Sequence, residues 1–116
     1  MKMLALDIET ANFSHDIGGF GQTHLFEPTV VATWDGTQGV VYSNESVSKY
    51  LPEGTVVKKM HPEIIGDDLA KHVSEGGMVL GHNLKNFDLP IIRDALDCYA
   101  VGEIMKKSTE QVFDTS

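Results

Sequence analysis

Residues 2–8, KMLALDI, are apolar apart from their ends and predict a buried strand. Two more apolar runs, 29–35 (TVVATWD) and 38–43 (QGVVYS), flank Gly36 and predict a β-hairpin. Between the first strand and this hairpin, TANFSHDIGGFGQTHLFEP has glycines and polar residues but no period. It predicts a long loop, and loops of that length are uncommon unless they serve a function. NESVSKYL (44–51) predicts a short helix capped by Asn44 or Ser46. In HPEIIGDDLAKHV (61–73), apolar residues fall at 64, 65, 69, 70 and 73. That is helical spacing with an acidic first half, and Gly76 and Gly77 end it. MVLG (78–81) predicts a short buried strand, and NFDLPIIRDAL (86–96) a helix that tolerates Pro90 only in its first turn. YAVGEIMKK (99–107) predicts another helical piece, and QVFDT (111–115) a final strand. Three strands, then helix, strand, helix and strand, predict an α/β fold. Its sheet is mixed, parallel in the second half, with helices on its faces. The 116 residues are expected to form one domain, 1–116.

A net charge of −8 argues against a protein that grips nucleic acid with a broad basic surface. It leaves open a nuclease whose carboxylates are neutralised by divalent metal. No apolar run approaches the roughly 18–20 residues needed to span a membrane. The start, MKMLALDIET, meets Asp7 too early for a secretory signal. Cys98 is the single cysteine, so no internal disulfide forms; a structural thiol and a cytoplasmic setting are expected.

The candidate chemistry lies in two stretches, LALDIET and GHNLKNFD. Asp7 and Glu9 are two apart, so on a strand they share one face. Two carboxylates on one strand face repel each other, and a cation between them removes that cost. Mg²⁺ and Mn²⁺ prefer such oxygen ligands. The bland alternative is that Asp7 ends the strand and Glu9 opens a loop. Asp88 follows a strand expected to run parallel to the first, so all three acids would gather at one carboxyl-terminal sheet edge. Its bland alternative, shared with Asn83 and Asn86, is helix capping and first-turn charge. The five histidines show no zinc-binding spacing, and only His82 adjoins a candidate motif. DIGGFG lacks a phosphate-loop lysine and reads as a flexible segment.

Together these stretches resemble the DEDD family of 3′–5′ exonucleases, the proofreading domains of DNA polymerases and their relatives. DIE is similar to the first family motif, NLKNFD to the second, and the terminal VFDT to the strand that commonly follows. The element order is similar to the ribonuclease H-like fold without its closing helix. The resemblance implies two divalent metal ions, Mg²⁺ or Mn²⁺, with Asp7, Glu9 and Asp88 as catalytic ligands. It implies that Ile8, Thr10, Asn83, Lys85 and Phe87 lie near the bound strand, although a core position is the favoured reading of Phe87. Lys85 is the best placed phosphate contact among Lys58, Lys59, Lys85, Arg93, Lys106 and Lys107. Asp114 resembles a structural residue of the family and is set aside from the catalytic set. The implied substrate is single-stranded DNA at its 3′ end, in a bacterial, archaeal or phage-type setting.

The family's third motif, a Tyr or His shortly before a fourth carboxylate, is expected on a helix after the VFDT strand. The sequence given stops at Ser116. Tyr99 and Glu103 have the right spacing but precede that strand. The expectation is therefore a truncated domain with weak or no activity alone, its missing motif supplied by a longer chain, a polymerase domain or a subunit. Two rivals are a non-catalytic ribonuclease H-like module for nucleic-acid binding or assembly, and a 3′–5′ exoribonuclease.

Overall fold

The computed structural model describes residues 2–11, 23–44 and 51–115. Most of the expected long loop (12–22, with DIGGFG) and of the expected helix at 44–51 lies outside the described residues.

The first strand, β1 (Met3–Thr10), outruns its apolar core and carries both Asp7 and Glu9. Leu6 and Ile8 are buried, while Asp7 and Glu9 between and beyond them are exposed. The hairpin forms from β2 (Pro28–Trp34) and β3 (Gly39–Tyr42). Its turn is built by Asp35, whose side chain accepts from Thr37 N and Gln38 N at 2.8 and 2.6 Å, and by Gly36 at φ +99°. That positive φ is cheap for glycine alone. A short strand that the sequence pattern missed, β4 (Val56–Lys58), pairs parallel with β3. Three residues are too few to show a period.

The helix α1 (Pro62–Ser74) starts where expected. His61 caps it through Nδ1, which accepts from Glu63 N at 3.1 Å, and proline opens its first turn. After β5 (Met78–Gly81), the predicted helix at 86–96 divides in two. A single π turn spans Leu84–Asp88, and α2 begins only at Leu89 and runs to Ala95. Pro90 has no N–H for the carbonyl of residue 86, so a helix beginning at 86 would lack its first hydrogen bond. Then come α3 (Tyr99–Lys107) and β6 (Val112–Asp114). Gln111 Nε2 donates to Val73 O and Gly77 O, both at 2.8 Å, and so ties the end of α1 to the start of β6.

The sheet order is β4-β3-β2-β1-β5-β6. β2 runs antiparallel to β1 and β3, and the other three pairings are parallel. The expected mixed α/β sheet is therefore present. Its core joins Leu6, Ile8, Val31, Val79 and Val112 of the strands to Ile65, Leu69, Ile91, Ile92, Val101 and Ile104 of the helices. Burying each such side chain contributes about 1.5–3 kcal/mol. Cys98 sits in this core, 2% exposed, with its thiol 3.3 Å from Pro62 O, as a structural thiol.

The opposite face of the sheet follows from register. Ala5 pairs with Trp34 on one side and Leu80 on the other, and Leu80 with Phe113. Trp34 and Phe113 are 53% and 54% exposed there, and Met3 on the same face is 41% exposed. The described helices thus bury one face of the sheet and leave this row of apolar side chains open.

Candidate functional site at the end of β1

The strands β1 and β5 part company early. Their pairing covers Met3–Ala5 against Met78–Leu80, after which β1 continues and β5 turns away. Gly81 makes that departure possible: a Cβ there would lie 2.8 Å from the Leu6 carbonyl oxygen. Two residues later Asn83 adopts the left-handed conformation, φ 56° and ψ 30°, which asparagine tolerates better than most residues. Its side chain makes no capping bond, so its visible contribution is the backbone turn. The chain then winds through the π turn and returns toward β1.

This return carries Asp88 across. Among the described residues, β1 beyond Ala5 has no partner strand on its β5 side, and the Asp88 carboxylate takes over that role. Its Oδ2 accepts from the Ile8 main-chain N–H at 3.1 Å. Asp88 occupies the position before α2 but makes no capping bond to it. The bland reading of Asp88 as a helix cap is thereby replaced: the side chain serves β1, 80 residues away in sequence. Only 3% of Asp88 is exposed.

Burial and the neighbouring charge of Asp7 push Asp88 up to about 7, against the opposing pull of the Ile8 N–H; Asp114 adds further repulsion. The charge of Asp7 therefore acts on Asp88. Glu9 shares the exposed face of β1 with Asp7. The bland reading of Glu9 as a loop residue fails, because the strand runs through it. Among the described residues no group of three or more His, Cys, Asp or Glu side chains is arranged to hold a metal ion. A carboxyl whose proton is held first by burial and then by a neighbouring carboxylate is one whose charged form a divalent cation would favour, and all-oxygen donors would suit Mg²⁺ or Mn²⁺.

The other named residues divide by position. Phe87 is partly buried and packs edge-on against Phe26, with ring centroids 5.2 Å apart at 80°, the favourable aromatic geometry and a core role. Lys85 is exposed, and its main-chain N–H donates to Asp114 Oδ2 at 3.0 Å. Ile8 is buried as part of the core, and Thr10 ends β1 at an irregularity in register. His82 is exposed, with Nδ1 3.4 Å from Thr115 Oγ1. Of the six candidate phosphate contacts, Lys58 is paired with Asp68, Arg93 with Asp94 and Lys107 with Glu103. Of the other three, Lys59, Lys85 and Lys106, Lys85 is the one in the turn that carries Asp88.

A separate cavity of about 670 Å³ opens beside α1, lined by Thr33, Tyr42, Lys58, Asp68 and His72 among others. Inside it Asp68 Oδ2 accepts from both Tyr42 OH and Lys58 Nζ at 2.7 Å, and burial raises the Tyr42 phenol above its ordinary value. Of the residues named from the sequence, only Lys58, a candidate phosphate contact, lines this cavity; Asp7, Ile8, Glu9, Thr10, Asn83, Lys85, Phe87 and Asp88 do not.

The link between Asp114 and the π turn is the feature that sequence reasoning missed, since 29 residues separate Lys85 from Asp114 and no local pattern joins them. No protein-family model matches the chain, and no curated protein matches its sequence.

Proposed function

We propose that this chain is a ribonuclease H-like module of the DEDD 3′–5′ exonuclease type, acting on the 3′ end of single-stranded DNA with Mg²⁺ or Mn²⁺. The observation that carries the reading is the convergence of Asp88 on the strand of Asp7 and Glu9. The sheet order supports it as well, since a mixed sheet with a parallel second half is the arrangement that the motif resemblance leads one to expect. Asp7 and Asp88 supply the negative pair that holds the cation, with Glu9 next along the same strand face. A divalent cation bound there would acidify a water nucleophile and stabilise charge on the leaving 3′ oxygen. Ile8 and Thr10 offer main chain to the terminal nucleotide, Lys85 offers charge to a phosphate, and Asn83 shapes the edge along which the strand lies.

A second reading is a nucleic-acid-binding or assembly module without catalysis. The motif resemblance implies a fourth carboxylate beside Asp7, Glu9 and Asp88, which a polymerase domain or other partner would supply, so these three alone are expected to support weak cutting or none. Calorimetric titration with Mn²⁺ tests the site. Binding that is lost in both Asp7→Ala and Asp88→Ala supports it, and no binding to the wild-type chain overturns it. A labelled panel of single-stranded DNA and RNA in Mn²⁺ then separates the substrates.

A further inference from the structure

We propose that Asp114 is a positioning residue that sets Asp88 against Asp7, acting through the π turn. The inference rests on the reading of Asp88 as a metal ligand and goes beyond it to name what holds that ligand in place.

The first N–H groups of a helical turn have no partner within the turn. Lys85 supplies one of these donors, and the Asp114 carboxylate on β6 accepts it at 3.0 Å, a charge-assisted bond. At the other end of the same turn, Asp88 accepts from Ile8 N on β1 at 3.1 Å. The turn is thus pinned to two strands that flank β5, with β6 holding its start and β1 its end. Inside it, Leu89 N donates to Leu84 O, and Phe87 N to Asn83 O at 3.0 Å, so less than one winding separates the two pins and little slack remains. The residue after Asp114 strengthens the first pin, because Thr115 N donates to Gly81 O at 3.0 Å.

The test compares Asp114→Ala with Asp114→Asn in the full chain, by Mn²⁺ titration and by amide hydrogen exchange. Outer partners of metal ligands are typically worth about 10–100-fold in metal affinity. Asp114→Ala should lose about tenfold or more, and Asp114→Asn, which keeps an acceptor for Lys85, should recover most of the loss. Equal loss in both variants would make Asp114 a ligand itself and overturn the positioning role. Unchanged affinity in Asp114→Ala would overturn it too. If the wild-type chain binds no Mn²⁺, the proposed function fails by itself and exchange decides this inference. Faster exchange at Ile8 and Lys85 in Asp114→Ala, with the core amides of β2 unaffected, supports the pin; unchanged exchange at Ile8 overturns it.

Discussion

Asp88→Asn keeps an acceptor for the Ile8 N–H and removes the charge that burial and Asp7 both oppose. An aspartate in the unfolded chain titrates near its ordinary 3.8, whereas folded Asp88 holds its proton up to about 7. The folded state is therefore the stronger proton binder. The contribution of Asp88 to wild-type stability is greatest below the unfolded value, falls as pH rises between the two values, and levels off above the folded one. At about 1.4 kcal/mol per pH unit, the interval from 3.8 to about 7 corresponds to a ceiling of about 4 kcal/mol. Asp88 itself is 3% exposed, but Asp7 on β1 is an exposed side chain, so solvent screening keeps the effect below that ceiling. Urea unfolding of both proteins, followed by far-ultraviolet circular dichroism from about pH 5 to about pH 8, isolates the effect. The variant should gain on the wild type by a few kcal/mol across that range, on the order of 10 °C in Tm for a domain of this size. Mn²⁺ added near the upper end should narrow the gap by stabilising the wild type. A difference that stays flat, or shrinks as pH rises, refutes the description of Asp88 as a buried carboxylate opposed by its surroundings.

Two further outcomes test how the turn is built. Gly81→Ala puts a Cβ 2.8 Å from the Leu6 carbonyl oxygen, a main-chain atom that cannot swing aside, and should cost about 1–3 kcal/mol in thermal unfolding; an unchanged Tm would show that β1 and β5 separate without that close approach. Asn83→Ala should cost about 1 kcal/mol because of its positive φ, while Asn83→Gly should stay near wild type. Equal behaviour of the two Asn83 variants would count against the left-handed turn.

Much of the architecture was legible because it is periodic. Leu6 and Ile8 alternate with Asp7 and Glu9 at the strand period, and Ile65, Leu69 and Val73 recur at the helical one. β4 escaped because Val56–Lys58 is too short to repeat anything. The helix at 86–96 was misjudged at its start. Pro90 signalled the true beginning, but the π turn before it depends on the conformation of Asn83 and on anchors from β1 and β6. Those are tertiary effects, invisible to local propensity. The pairing of Asp7 with Asp88 was legible only as a consequence of expecting a parallel β1–β5 pair. Its chemical character, a buried carboxylate held near neutrality, required the burial and the Ile8 contact to be seen.

The open sheet face has a spectroscopic consequence. Trp34 is the only tryptophan in the chain, and it stands on that face, 53% exposed. Its fluorescence in the folded protein therefore reports a largely wet indole rather than the core. Unfolding should shift its emission little, even though the helices and strands melt cooperatively. Whatever comes to lie across Met3, Trp34 and Phe113 should instead move the emission to the blue, which gives this surface its own intrinsic optical probe.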